Sequence, residues 1–226
     1  MIALLNYLEV TVQKNNQFSH PTYVAVVENK LFVCDKDNNR IHSLNLDGVF
    51  LKKFNGPAYD FSKPPWGICT DNMGNLVVAE TRNNQIKVFK LEQQRLRNFG
   101  KEGSKERELR QPYFLTALSD GNIYITDNGN HRVQVFDENY SYLFHFNGGD
   151  NSLKFPTGIN ADREGHVRQI NATVDFKCLK QMEKTQNDDH ETASKFKVSK
   201  LSQRTYYDLD GCIVVADSDN DRIVIL

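Results

Sequence analysis

A phrase of turn-forming residues followed by branched apolar residues occurs four times in this chain of 226 residues. In the copy that begins at Asp127, the run Asp-Asn-Gly-Asn precedes His-Arg and a Val-x-Val alternation. The four copies align on a basic or amide residue, at Arg40, Gln85, Arg132 and Arg222. The first three lie 45 and 47 residues apart, and the last interval of 90 equals two periods. We therefore infer a repeated unit of about 45 residues, with one degenerate copy before the last.

Two further phrases recur with the same period. A proline opens each unit, and these prolines are Pro21, Pro65, Pro112 and Pro156. A turn rich in Asp, Asn and Gly then enters a short apolar strand. Four short antiparallel strands in about 45 residues form one blade of a β-propeller. A helical repeat would need apolar residues at i, i+3, i+4 and i+7, and these β-branched segments lack that pattern.

The phrases resemble the NHL repeat, which is named for its Asn-His-Leu-like tripeptide. The corresponding residues here are Asn39-Arg40-Ile41, Asn84-Gln85-Ile86, Asn130-His131-Arg132-Val133 and Asn220-Asp221-Arg222-Ile223. The resemblance covers about 18–160 and again about 205–226. It implies an all-β propeller of four-stranded antiparallel blades, with about five to six repeats. Two alternatives remain: a truncated form of a six-bladed ring, or a ring that closes with five blades.

The repeats divide the chain into four parts. Residues 1–17 precede the first repeat, and their apolar alternation predicts a strand that completes the last blade and closes the ring. Residues 18–162 hold three clear repeats and the start of a fourth, and 205–226 hold a final incomplete repeat. Segment 163–204 breaks the pattern, and no second strand is expected after Gly165. A decayed blade, a disordered loop and a helical insertion remain open for it.

Composition excludes several classes of partner. The formal net charge is -1, so nothing in the bulk charge attracts nucleic acid or an anionic membrane. No apolar run approaches the roughly 20 residues that span a bilayer, and we expect no membrane partner. The four cysteines have no C-x-x-C spacing, which argues against a zinc site. We expect a reduced, cytoplasmic protein without a metal or another cofactor.

Propeller topology predicts one candidate ligand-binding face. If the strands of a blade are a to d from the axis outward, the b–c turns and the d–a connections lie on the same side of the disc. The repeated turns and the proline openings then bring basic and aromatic residues to that side. These candidate ligand-binding residues are Arg40, Arg82, Arg132, His131, Arg222, Tyr23, Trp66, Tyr113, Phe114, Lys63 and Arg110.

Two kinds of ligand fit arginine combined with aromatic residues. Such a surface can anchor a protein or peptide, and it can also stack and neutralise single-stranded RNA. Acidic neighbours such as Glu102 and Glu106 favour the protein or peptide. The resemblance to NHL domains of tripartite-motif proteins implies substrate recognition for ubiquitin ligation, or RNA binding. Alternatively, the repeated arginines simply bond to the backbone between blades.

We expect no catalytic activity in this chain. The histidines lack the H-E-x-x-H spacing of a metal site, and no G-x-S-x-G nucleophile turn is present. Some NHL-like propellers are metal-dependent lyases with the metal in the central channel. His20 and His166, which flank proline openings, are the candidates for such ligands here. A surface or packing role is the expectation for both.

Overall fold

Five antiparallel β-sheets make up the described part of the chain. The computed structural model describes residues 8–10, 17–55, 61, 63–91, 95–147, 153–161, 167–171, 176–179, 206–209, 212–217 and 222–225, with side-chain detail within 17–159. The regular elements in these ranges are strands and short 3-10 turns, so the all-β prediction is confirmed. A helix long and apolar enough to span a bilayer is absent from the described ranges.

The first three sheets are complete blades, each made of four consecutive strands in spatial order. Blade 1 contains β2 (Pro21–Val27), β3 (Lys30–Asp35), β4 (Arg40–Asn45) and β5 (Phe50–Phe54). Blade 2 contains β6 (Ile68–Thr70), β7 (Leu76–Glu80), β8 (Gln85–Phe89) and β9 (Arg95–Phe99). Blade 3 contains β10 (Pro112–Ala117), β11 (Ile123–Asp127), β12 (Arg132–Phe136) and β13 (Tyr142–Phe146).

The fourth sheet has three described strands, β14 (Pro156–Ala161), β15 (Val167–Asn171) and β16 (Phe176–Leu179). The expectation that no second strand follows Gly165 is wrong, because β15 pairs antiparallel with β14. Pro156 stands opposite Asn171, whereas Pro21 and Pro112 stand opposite aspartates. The fourth copy thus has an amide residue where blades 1 to 3 have an acid, which explains its weak sequence signal. Residues 180–205 lie outside the described residues.

The fifth sheet joins the two ends of the described chain. It contains β17 (Tyr206–Leu209), β18 (Cys212–Asp217) and β19 (Arg222–Ile225), with β1 (Leu8–Val10) as its outer strand. β1 runs antiparallel to β19, with Leu8 opposite Ile225. The inner strands β2, β6, β10 and β14 contact one another in that order, and β18 contacts β2. The sheets therefore surround an axis as propeller blades, which confirms the predicted fold class.

Apolar side chains fill the space between adjacent blades. Phe32 and Phe54 of blade 1 pack in one cluster with Phe89 of blade 2. Ile86 and Leu115 belong to the next cluster, between blades 2 and 3. Each fully buried side chain of this size contributes about 1.5–3 kcal/mol of favourable burial. Because these clusters are shared, blades 1 to 3 bury their apolar faces against one another.

In blades 1 to 3, a left-handed residue ends the 3-10 turn between the second and third strands. Asn39, Asn84 and His131 have φ values of 49°, 53° and 56°. Asparagine and histidine adopt this region more readily than most residues that carry a Cβ. This backbone requirement accounts for the polar residue that recurs before Arg40, Gln85 and Arg132.

A buried carboxylate ties each turn to the connection that precedes its blade. Asp35, Glu80 and Asp127 are fully buried at the ends of β3, β7 and β11. Each accepts a main-chain N–H from the connection, at 2.6 Å from Ser19, 3.3 Å from Lys63 and 2.7 Å from Arg110. Each also accepts an asparagine amide three residues further on, from Asn38, Asn83 and Asn130. The acid therefore fixes two loops at once on the same side of the disc.

A basic side chain balances each of these acids. Arg40 Nε lies 2.5 Å from Asp35 Oδ2, and Arg132 Nε lies 2.7 Å from Asp127 Oδ2. In blade 2 the corresponding residue is Gln85, and Lys87 supplies the cation instead, with Nζ 3.1 Å from Glu80 Oε1. Two positions on the third strand can thus neutralise the same buried charge.

We expect Lys87→Met to lower the free energy of unfolding by about 3–5 kcal/mol, because Glu80 would keep a buried charge without its cation. Adding Gln85→Arg should recover most of this loss by restoring the arrangement of blades 1 and 3. Urea denaturation followed by the fluorescence of the single tryptophan measures both effects. Lys90→Met, at an exposed position of the same blade, is the control and should change little. A double variant no more stable than Lys87→Met contradicts the exchange of cation positions.

Candidate ligand-binding face

The turns and connections that the buried acids join form one surface. The N–H of Asp37 donates to the Ser19 carbonyl at 3.1 Å, and the N–H of Gly129 donates to the Arg110 carbonyl at 2.8 Å. We call this surface the connection face. The candidate ligand-binding side chains on this face are Lys36, Lys63, Trp66, Arg82, Arg110, Tyr113, His131 and Phe155.

An aromatic pair bridges blades 2 and 3 on the connection face. The Trp66 and Tyr113 rings meet edge to face, with centroids 4.7 Å apart and planes at 84°. Both residues are partly exposed. Lys36 of blade 1 places its ammonium 4.7 Å from the Trp66 ring centroid, in a cation–π contact. The pair thus presents partly exposed aromatic rings next to an ammonium group that also lies 3.5 Å from the Asp37 carboxylate.

The local backbone explains how these rings meet. The first strands β2, β10 and β14 each begin with a proline, and a bulge follows it. A bulge redirects side chains at the end of a strand. A Cβ on Gly67 would lie 2.5 Å from the Tyr113 carbonyl oxygen. Blade 2 can therefore approach blade 3 closely enough for the two rings to touch only because residue 67 has no side chain.

A second aromatic pair bridges blades 3 and 4. The His131 and Phe155 rings meet edge to face at 4.3 Å, and the Phe155 N–H donates to His131 Nδ1 at 3.2 Å. Phe155 is 58% exposed and has a φ of 48°. A phenylalanine in the left-handed region costs about 1–3 kcal/mol of backbone strain. The fold therefore keeps the Phe155 ring exposed despite an unfavourable backbone conformation.

The turns and connections that form this face also carry cationic side chains. Arg82, Arg110 and Lys63 are exposed. Arg110 runs across the turn of blade 3, since a Cβ on Gly129 would lie 2.6 Å from its Cγ. Blade 3 also contributes Tyr113 and His131, one member of each aromatic pair. Blade 3, which contributes one ring to each aromatic pair, therefore also carries the Arg110 guanidinium.

The opposite side of the disc has a different character. Its turns begin with Asp71, Asp120 and Asp137, and each carboxylate accepts an N–H of its own turn, at 2.9 Å in every case. The Tyr140 hydroxyl also donates to Asp71. Burial, and then the hydrogen bond to Asp71, raises the pKa of Tyr140 above its ordinary value. Acids there close turns, whereas aromatic and cationic groups are exposed on the connection face.

Comparison with known proteins identifies the repeat. The model of the NHL repeat family matches residues 65–89 and 109–136, the first three strands of blades 2 and 3. The chain contains NHL repeats. Protein brain tumor of Drosophila melanogaster is 26% identical to it over 112 residues, 49% of this chain and 11% of that protein. RING finger protein nhl-1 of Caenorhabditis elegans is 42% identical over 50 residues, 22% of this chain and 5% of that protein. The match therefore spans a small part of either relative.

Solved structures share the architecture of these NHL blades. A streptogramin B lyase has a TM-score of 0.56 and 14% identity, covering 97% of this chain and 96% of that chain. A virginiamycin B lyase from Staphylococcus aureus has a TM-score of 0.56 and 17% identity, with 97% of each chain covered. At this level of identity the likeness establishes the propeller fold alone.

Two of the predicted ligand-binding arginines of the NHL repeats are bound within the fold. Arg132 is 7% exposed, and besides Asp127 its Nη2 donates to the carbonyls of Lys105 and Glu108 at 2.7 and 3.0 Å. Arg40 donates to the Gln17 carbonyl at 2.7 Å as well as to Asp35. These contacts agree with the alternative that the repeated arginine bonds to a connection. Of Arg222, the structure describes the backbone alone.

The structure also corrects the prediction that Tyr23 is exposed on the ligand-binding face. Tyr23 is buried, and its hydroxyl donates to the Ile159 carbonyl in blade 4 at 3.2 Å. Its ring lies 5.1 Å from that of Phe114 in blade 3. Since these partners belong to first strands of non-adjacent blades, Tyr23 and Phe114 lie near the axis of the propeller, where Tyr23 is buried and Phe114 is half-buried.

The sequence did not single out Phe155 or Lys36. The position of Phe155 directly before the opening proline could have indicated it. His20 and Gln111 occupy the same position in their repeats, and they also have positive φ and are at least partly exposed. Lys36 follows the buried acid. At the same place Thr81 and Asn128 donate to the carbonyls of Pro112 and Pro156 in the next blade. Contact with the next blade is therefore common to this position.

The described residues offer few side chains that could hold the metal ion of a lyase-like site. They contain no group of three or more His, Cys, Asp or Glu side chains that could hold a metal ion. His20 Nδ1 lies 3.8 Å from Asp37 Oδ2, and His166 lies outside the described residues. Burial, and secondarily Asp35, raises the pKa of the Cys34 thiol well above its ordinary value, so Cys34 is not a ready nucleophile.

We expect Gly67→Ala to lower the free energy of unfolding by about 1–3 kcal/mol. The new Cβ would meet backbone atoms, 2.5 Å from the Tyr113 oxygen and 2.9 Å from Phe114 Cα, so blades 2 and 3 must separate. Urea denaturation measures the loss, and Trp66 emission should change as Tyr113 moves away. Ser104→Ala, in the exposed connection between the same blades, is the control. Equal stability of the two variants would show that the close approach is not needed.

Proposed function

We propose that this protein is a non-catalytic NHL propeller that binds a protein or peptide partner on its connection face. The observation that carries the proposal is the partly exposed Trp66–Tyr113 pair with the Lys36 ammonium beside it. Tryptophan, tyrosine and arginine are the residues that most often dominate binding energy at protein interfaces. A partner segment in which an acidic side chain follows an apolar one would fit this surface. The apolar side chain would contact the Trp66–Tyr113 pair, and the acidic one would pair with the neighbouring Arg110.

The arrangement favours an extended partner. The two aromatic pairs lie at successive contacts between blades, and blade 3 contributes to both of them. A segment that reaches from Trp66 to Phe155 would cross the turn beneath Arg110. The rings are already positioned by contacts within the fold, so little side-chain entropy is lost on binding.

The biological role that this binding supports best is substrate recognition for ubiquitin ligation carried out by other domains or chains. The resemblance to tripartite-motif NHL domains favours it, as does the similarity to a protein named RING finger protein nhl-1. Cys34 and Cys69 are buried free thiols, which fits the reducing cytoplasm expected from the sequence.

The test is selection from a random peptide library displayed on phage, followed by synthesis of the enriched peptides. Peptides that combine an aromatic or large aliphatic residue with an acidic one should bind. Trp66→Ala should weaken them by about 1–3 kcal/mol, roughly tenfold to a hundredfold in Kd, measured by fluorescence anisotropy. Leu51→Ala, at an exposed apolar residue of outer strand β5, should leave Kd unchanged. Equal loss in both variants, or no enrichment, would refute peptide binding at this face.

Single-stranded RNA is the second candidate, because Lys63, Arg82 and Arg110 are exposed beside rings that could stack on bases. A labelled pool of random single-stranded RNA tests it. If the three side chains contact phosphates, the logarithm of the binding constant should fall with a slope of about −2 against the logarithm of salt concentration. Arg110→Glu should then abolish binding. A flat salt dependence, or binding that survives Arg110→Glu, rules against RNA on this face.

A further inference from the structure

His42 is a buried imidazole without a hydrogen-bond partner among the described residues. It is the third residue of β4, its side chain is fully buried, and neither ring nitrogen is bonded. Its ring packs between Phe18 at 5.3 Å and Phe50 at 5.4 Å. An unsatisfied buried polar group costs about 1–3 kcal/mol, so its presence in the core requires an explanation.

The matching residues of blades 2 and 3 are bonded to the buried acid. Lys87 donates to Glu80 at 3.1 Å, and Gln134 donates to Asp127 at 3.0 Å and to the Glu108 carbonyl at 2.6 Å. His42 Nε2 instead lies 3.7 Å from Asp35 Oδ2, beyond hydrogen-bond distance. Blade 1 therefore has an imidazole at this position, which has one N–H donor when neutral and two when protonated.

Asp35 and its partners hold the segment that leads from β1 into blade 1. The Ser19 N–H donates to Asp35 Oδ1 at 2.6 Å. Arg40 Nη2 and Asn38 Nδ2 donate to the Gln17 carbonyl at 2.7 and 3.3 Å. Phe18, between them, is 5% exposed against the His42 ring. The N-terminal segment thus rests on the cluster that contains His42.

Arg40 already neutralises Asp35 while His42 is uncharged. The charged groups around it are Asp35 at the end of β3, Arg40 on β4 and Lys53 on β5, directly opposite His42. Burial, followed by Arg40 and Lys53, lowers the pKa of His42 from its ordinary value to about 4. A proton on the ring would place a second buried cation on a carboxylate that Arg40 already neutralises.

We propose that His42 is an acid-sensitive latch: when its ring gains a proton, Gln17–Ser19 is released from blade 1. The imidazolium competes with Arg40 and Asn38 for Asp35 and becomes hydrated once Phe18 moves away. Release therefore loosens the tether of β1, the strand that completes the fifth sheet.

The pH range of release follows from proton linkage. The latched ring has a pKa of about 4, and a released, hydrated ring returns to the ordinary value of about 6.5. The released state then binds more protons between these values, so release becomes more favourable as pH falls through about 6.5 and levels off near 4. Between pH 7.5 and 5.5 the equilibrium constant for release should rise about tenfold.

Amide hydrogen exchange of the whole chain at pH 7.5 and 5.5, corrected for the intrinsic pH dependence, tests the latch. The protection of the Ser19 amide should fall about tenfold at the lower pH. The Arg110 amide makes the same bond to Asp127 in blade 3, where Gln134 stands at the position that matches His42, and it should stay protected. His42→Gln, which copies Gln134, should remove the pH dependence at Ser19.

The remaining outcomes also decide the proposal. Equal loss of protection at Ser19 and Arg110, or the same pH dependence in His42→Gln, overturns it. Should His42→Gln fail to fold, His42→Lys provides the second test, since it carries a positive charge at both pH values beside Arg40. Its Ser19 amide should exchange fast at pH 7.5 and change little at 5.5. A well-protected Ser19 amide in His42→Lys would contradict the latch.

Discussion

The buried carboxylate at the end of the second strand is the interaction on which the other features of this propeller depend. Asp35, Glu80 and Asp127 each accept an N–H from the preceding connection and an amide from the following turn. A buried charge is tolerable because Arg40, Lys87 or Arg132 neutralises it and the remaining lone pairs are bonded. The same bonds bring turns and proline openings to one side of the disc, where the aromatic pairs form.

Contacts between blades, not single blades, create the candidate site. Trp66 needs Tyr113 of the next blade, and His131 needs Phe155 of the one after. At the axis, the large Tyr23 and Phe114 alternate with Gly67 and Gly158 in the same register. That alternation of large and small residues lets the first strands come close, which in turn sets the distance between the rings. Stability and binding geometry therefore share the same packing.

Much of the architecture could be read from the sequence, because turns and short strands are local features with local signals. The 45-residue period, the strand order and the side of the disc that carries Trp66, Tyr113 and Arg110 all follow from it. Residue-level roles were harder. Arg132 and Arg82 are both predicted to bind a ligand, yet one is buried on an acid and the other is exposed. Phe155 was missed since nothing local indicates that His131 would support it.

By itself the sequence determined an all-β propeller with a repeated turn, since asparagine, glycine and proline limit the backbone regardless of what surrounds them. Only the tertiary structure decided which charged side chains are bonded inside and which are free to meet a ligand. Burial and pairing depend on residues about 20 to over 100 positions away, as with Arg40 and Gln17 or Tyr23 and Ile159. Residues this far apart in the sequence come into contact only when the blades assemble around the axis.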